Sequence, residues 1–156
     1  MATFRARLRG RNEVPPVRTN AFGSATFREV GRGFGPFFNN NGDDEDIDNQ
    51  GNNRRRNLRL RFRLVLNNIR RVTSAEVHLG RPGENGPLVA FLFGPNNQGV
   101  SFRRGVITGT LRDGDLIGPL AGSSIRRLVR EIERGNAYVN VRTRQFPNGE
   151  IRGQIR

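Results

Sequence analysis

Leu58-Arg59-Leu60-Arg61-Phe62-Arg63-Leu64-Val65-Leu66 sets five apolar residues at even positions against three arginines between them. Side chains of an extended chain point alternately to opposite faces, so this period of two predicts a half-buried strand with its even face packed inward. Upstream, Phe4, Ala6 and Leu8 alternate with Thr3, Arg5, Arg7 and Arg9, which predicts a first strand ending in a loop at Gly10. Glu13-Val14-Pro15-Pro16 lacks two backbone donors and suits a loop or sheet edge, with a second strand expected at about 21–30. Downstream, shorter runs at 69–79, 87–93, 100–103 and 105–111 are separated by Asn67-Asn68, Arg81-Pro82-Gly83, Pro95-Asn96-Asn97 and Arg104-Gly105.

Only one stretch reads as a helix. Ser123 or Ser124 can cap it, Ile125, Leu128, Val129 and Ile132 fall on one side, and Gly135 can stop it. The other side carries Arg126, Arg127, Arg130, Glu131, Glu133 and Arg134, a solvated mixture of signs. Two last strands, Ala137–Thr143 and Glu150–Ile155, are joined across Phe146-Pro147-Asn148-Gly149, where Asn-Gly favours a tight hairpin. Many short strands with frequent turns predict an all-β fold, a Greek-key β-sandwich or barrel of immunoglobulin-like type with about eight to ten strands and one short amphipathic helix. The Asn/Asp-rich segment at about 36–56 has little to bury and is expected to be a long surface loop of a single domain, 1–156.

With 156 residues the chain can bury roughly two-thirds of its unfolded surface in one core. It has no cysteine, which excludes disulfides, thiolate nucleophiles and cysteine-type metal sites. The opening Met1–Arg9 alternates rather than forming the apolar core of a secretory signal, and no run approaches membrane-spanning length, so no membrane insertion is expected. The net charge is +13, and every cation is arginine. Guanidinium is planar, weakly hydrated and bidentate, which suits inter-chain pairing or polyanion binding; composition bias or heat adaptation is the alternative origin.

Several motifs occur in a characteristic order: Asn12-Glu13-Val14-Pro15-Pro16-Val17, Ala75-Glu76-Val77-His78-Leu79-Gly80, Asn85-Gly86-Pro87-Leu88-Val89, Ala137-Tyr138-Val139-Asn140-Val141-Arg142-Thr143 and Pro147-Asn148-Gly149-Glu150-Ile151-Arg152-Gly153-Gln154-Ile155. Together they resemble the CHRD (chordin) domain family, in its stand-alone prokaryotic form. The resemblance implies an extracellular or surface module without enzymatic activity. In relatives the second motif is usually Ala-His-Ile-His-x-Gly and the fourth Tyr-Val-Asn-Val-His-Thr, a histidine-rich set able to hold a metal. Here Glu76 and Arg142 stand at two of those positions, leaving His78 as the only histidine of the chain. Arginine offers no lone pair, so the exchange is better read as a Glu76–Arg142 ion pair than as a metal site at Glu76 and His78.

The remaining chemistry is sparse. Nucleophilic catalysis needs a positioned base, and the chain's only histidine is His78, with no Gly-x-Ser-x-Gly elbow and no cysteine, while the pairs Asp113/Asp115 and Glu131/Glu133 lie in a turn and on a solvated helix side. No catalytic residue and no cofactor is expected, and an enzyme would need a pocket converging on Glu76, His78 and Arg142. Asp46-x-Asp48-x-Gln50-Gly51 imitates the start of a calcium loop, but the position that needs a bidentate glutamate is Asn57. Specific nucleic-acid recognition has no support, since there is no tryptophan, one tyrosine and no basic recognition helix.

The expected function is a structural or interaction module of a cell or spore surface that self-assembles into fibres or a coat. A first strand carrying Phe4 and Leu8 would be exchanged between copies, and Asp43, Asp44, Glu45, Asp46 and Asp48 would contact arginines of a neighbour. The alternative is a monomeric binding module for an anionic polymer or protein ligand that uses the Arg59, Arg61 and Arg63 face.

Overall fold

The computed structural model describes residues 1–31 and 58–156. The acidic block 43–48, Arg54–Arg56 and the calcium-like stretch at Asp46–Asn57 lie outside the described residues. The elements are β1 (Thr3–Arg9), β2 (Phe22–Val30), β3 (Arg59–Leu79), β4 (Leu88–Phe93), β5 (Val100–Leu111), α1 (Ile125–Glu133), β6 (Ala137–Thr143) and β7 (Ile151–Gln154).

β3 organises the molecule. Its first half buries Leu60, Phe62, Leu64 and Leu66, while Arg61 and Arg63 point to solvent. Asn68 and Arg71 then take left-handed backbone angles, each with φ of 51°. The pairing register shifts between Ile69 and Val72, and beyond it the odd residues Ala75 and Val77 face the core. Asn67-Asn68, expected to separate two strands, is instead a bend inside one strand of 21 residues. Asparagine tolerates the left-handed region; Arg71 is held there although its Cβ disfavours it.

This bend closes the fold. Val72 pairs with Val100 of β5 and with Thr143 of β6, so β5 and β6 occupy opposite edges of β3. β2 lies opposite β5 along the first half, and β4 lies opposite β6 along the second. Thus β2 and β6 share one edge of the bent strand, and β4 and β5 run end to end along the other. β1 pairs with β2, β7 pairs with β6, and β1 meets β7 at Arg9 and Arg152, completing a ring of five strands, β1-β2-β3-β6-β7.

The seam between β1 and β7 is reinforced. Arg5 and Arg156 exchange backbone hydrogen bonds of 2.6 and 2.9 Å, and the Asn12 side chain donates to the Arg152 carbonyl at 3.0 Å. At Gly153 a Cβ would collide with the Arg7 carbonyl, so glycine lets the two strands approach.

The fold is therefore a closed five-stranded barrel with β4 and β5 added, the barrel rather than the sandwich of the two all-β forms expected, and among the described residues it has seven strands in place of eight to ten. Runs 58–66 and 69–79 are one strand, as are 100–103 and 105–111. Hydrophobic periodicity marks a change of facing but cannot tell a bulge from a turn.

α1 connects β5 to β6 and packs on β6 and β3, burying Ile125, Leu128, Val129 and Ile132 in the common core. Ser124 occupies the N-cap without a side-chain bond; Asp113 accepts from the Ile125 amide at 2.7 Å instead. Glu131, expected on a solvated side, is 7% exposed and accepts from the Asn136 side chain at 2.8 Å. The β6–β7 connection is wider than a tight Asn-Gly hairpin, with the Phe146 carbonyl accepting from both Thr143 and Gly149.

Candidate functional site

Alternation along β6 sends Val139 and Val141 into the barrel and leaves Tyr138, Asn140 and Arg142 on its outer face. Registers place Ser74 beside Arg142, Glu76 beside Asn140 and His78 beside Tyr138, with Gln154 and Arg152 next in line on β7. An outer face normally meets water. Here it is roofed by the segments Gly10–Asn20 and Gly80–Pro87, tied to each other by the Asn85 side chain donating to the Val14 carbonyl at 2.9 Å. Glu76, His78, Asn140 and Arg152 are consequently buried.

Buried polar groups need partners, and most of these are fully engaged. Glu76 Oε1 accepts from Arg142 Nε at 2.9 Å and meets His78 Nε2 at 2.7 Å; Oε2 accepts from Ser74 Oγ at 2.9 Å. Burial pushes the Glu76 carboxyl up, but the His78 and Ser74 hydrogen bonds and the Arg142 charge outweigh it and hold it below its ordinary range. His78 Nδ1 lies 2.8 Å from the Gly86 carbonyl, so both ring nitrogens face acceptors. The sequence-derived pair Glu76 and Arg142 thus stands in contact, with His78 on the same carboxylate.

A second line runs outward from His78. Its ring stacks on Tyr138 at 5.1 Å, and the Arg152 guanidinium lies 3.5 Å from the Tyr138 ring centre on cation–π terms. Arg152 donates to Asn85 Oδ1 and to the carbonyls of Arg81 and Glu84, and the Tyr138 hydroxyl accepts from the Gly86 amide. One arginine therefore braces a loop some seventy positions away in sequence. Across the sheet, Glu150 accepts from Thr19 and Thr143.

Glu13 is the exception. It is 6% exposed, and its Oε2 has no hydrogen-bond partner, nor has Asn140 Oδ1; both crowd the point where a Cβ on Gly149 would sit. Burial raises the Glu13 carboxyl from 4.5 to about 7, against the charges of Arg152 and Arg142 and with that of Glu150.

The roof also shapes a cavity of about 820 Å³ between β1, the C-terminus and the loops. Arg5, Arg7, Arg11 and Arg156 rim it, and Val14, Pro16 and Pro82 form an apolar wall. Its lining does not include Glu76, His78 or Arg142. Among the described residues no three His, Cys, Asp or Glu side chains converge as metal ligands.

The remaining sequence-derived candidates are dispersed. Phe4 and Leu8 are 8% and 0% exposed inside the barrel, because β1 is a member of the closed ring rather than a loose edge. Arg61 and Arg63 are exposed and Arg59 half-buried, on the face opposite the core. Asp43, Asp44, Glu45, Asp46 and Asp48 lie outside the described residues. Asn12, Glu13, Asn85, Tyr138, Asn140 and Arg152 were given no role by sequence reasoning; the alternation of Tyr138-Val139-Asn140-Val141-Arg142, laid against Glu76-Val77-His78, was the available signal.

The first-half sheet presents a different surface. Arg28 stands directly opposite Arg61, and Arg5 lies level with Thr26 and Arg63. Arg7 and Arg9 continue the same face, all exposed. Among the described residues the ion pairs are His78–Glu76, Arg142–Glu76 and Arg127–Glu131, so none of these face arginines has the carboxylate of another described residue within 4.0 Å.

A family model described as the CHRD domain matches residues 49–155. No curated protein and no solved structure matches the chain. Among the described residues no helix is long and apolar enough to cross a membrane.

Proposed function

This chain belongs to the CHRD domain family, and on that premise we propose that it is a non-enzymatic interaction module of an extracellular, cell or spore surface that takes anionic partners on the arginine face of β1, β2 and β3. The family match supports a binding or interaction role. The observation that carries the anionic partner is the like-charge pair Arg28 and Arg61, directly opposed across two strands with Arg5 and Arg63 beside it. Like charges so placed destabilise an isolated sheet, and a polyanion lying across the face relieves that repulsion while gaining bidentate contacts. Thr26, Thr108 and Thr110 between the arginines keep the face low and supply further donors.

Salt elution from immobilised heparin tests this reading. Wild-type protein is retained and released by salt, because exposed charge pairs are screened within about 8 Å at physiological ionic strength. Arg28→Glu and Arg61→Glu together should shift elution to markedly lower salt. Unchanged elution of that variant would end the proposal.

Self-assembly into fibres or a coat is the second reading. β4 and β5 each pair only with β3 among the described residues, which leaves a sheet edge able to accept a strand. Exchange of β1 is the less favourable route, since it must break pairing with β2 and the C-terminal strand and withdraw Phe4, Ala6 and Leu8 from the core. Light scattering across a concentration series separates the readings: growth with concentration supports assembly, and a constant monomer mass opposes it.

A further inference from the structure

We propose that the cavity between β1, the C-terminus and the roof loops is a docking site for an acidic peptide in extended conformation. The inference rests on the interaction-module reading above and gives it a second site, one that shares Arg5 and Arg7 with the sheet face and adds Arg11 and Arg156. Four exposed guanidiniums, Arg5, Arg7, Arg11 and Arg156, surround a space of about 820 Å³, and its one lining acid, Glu13, is buried against Gly149 and Asn140. Arg152, at the base, is held by Asn85, Arg81 and Glu84 and serves as a brace. Among the described residues, therefore, no carboxylate pairs with the rim arginines.

Spacing identifies the ligand. Arg5 and Arg7 are two residues apart on one strand, about 7 Å, and that is also the distance between carboxylates at i and i+2 of an extended peptide. Arg156 is hydrogen-bonded opposite Arg5 across the strand pair, which provides a second row. Val14, Pro16 and Pro82 make a rigid apolar wall for the alternate side chains. The lining holds no aromatic ring, so it gives no platform for stacking a base or a sugar. A peptide with acids at alternate positions and an apolar residue between them fits these features. The chain's own sequence contains one, Asp43-Asp44-Glu45-Asp46-Ile47-Asp48, with acids at 44, 46 and 48 and Ile47 among them.

The probe is a fluorescent synthetic peptide of that sequence, read by anisotropy against full-length protein in which the five acids of 43–48 are replaced by Asn or Gln. That protein should bind the peptide in a salt-sensitive manner. Arg11→Ala and Arg156→Ala should each weaken binding about tenfold, as expected for loss of a charged bidentate contact. Arg61→Glu, on the sheet face, should leave peptide affinity within about twofold, since it lies outside the cavity. Absence of binding to the neutralised protein overturns the proposal. Binding that survives the cavity substitutions but falls with Arg61→Glu also overturns it, while leaving the sheet-face reading intact. Tighter cavity binding by a uronate oligosaccharide than by the peptide refutes the ligand class.

Discussion

Replacing Glu13 by Gln should stabilise this protein at neutral and alkaline pH and leave it unchanged in acid. The carboxyl is buried, one oxygen lacks a donor, and the neighbouring Asn140 Oδ1 lacks one too. A proton on Glu13, or the amide of a glutamine, supplies the missing hydrogen. Burial raises this carboxyl from 4.5 to about 7, opposed by Arg152 and Arg142. Because the folded state holds the proton more tightly, the stability it contributes is complete below about pH 4.5 and is lost as pH rises through about 7. At about 1.4 kcal/mol per pH unit, that interval amounts to at most roughly 3 kcal/mol. For a protein of this size roughly 3 kcal/mol moves the melting temperature by about 6–12 °C. Thermal melts of both proteins at pH 4.5, 6 and 8 should therefore diverge progressively, with the variant higher at pH 8. An offset independent of pH, or a variant that is weaker throughout, would refute the reasoning.

Glu76→Ala leaves Arg142 and His78 without their shared carboxylate and should cost about 3 kcal/mol, at the lower end for a broken buried pair because Arg142 is partly exposed; urea melts measure it. The same carboxylate, held below its ordinary range, contributes stability present above pH 4.5 and lost as pH falls through its lower folded value, so the acid limb of stability in wild type should flatten in Glu76→Gln. Arg61→Glu should raise stability by up to about 0.5 kcal/mol by turning the Arg28 contact attractive, while weakening polyanion binding; calorimetry and heparin elution read the opposite signs. Asp113→Ala removes the acceptor for the Ile125 amide and should cost about 1 kcal/mol, seen in thermal melts.

How much of this was legible in the chain depends on the range of the interaction. Strand β1 follows directly from Phe4, Ala6 and Leu8, and α1 from Ile125, Leu128, Val129 and Ile132, because period and burial are local. The bend at Asn67–Arg71 was not, since what keeps β3 continuous is pairing of Val72 with two partners at positions 100 and 143. The helix cap illustrates the same limit: Ser124 fits the local rule, but the acceptor is Asp113, folded back across the loop. At the site, Glu76 meeting Arg142 could be anticipated from the family resemblance, because both stand at positions where relatives usually carry histidine. The burial of that outer face could not, because the roof is held by Asn12, Asn85 and Arg152, whose partners lie far away in sequence.

The central claim is that an exposed arginine sheet, uncompensated among the described residues, takes anionic partners. Isothermal titration of full-length wild type and the Arg28→Glu/Arg61→Glu variant with polyaspartate, at low and at physiological salt, tests it most directly. The account predicts saturable binding by wild type that weakens with salt and is largely abolished in the variant; equal binding by both proteins, or none by wild type at low salt, would contradict it.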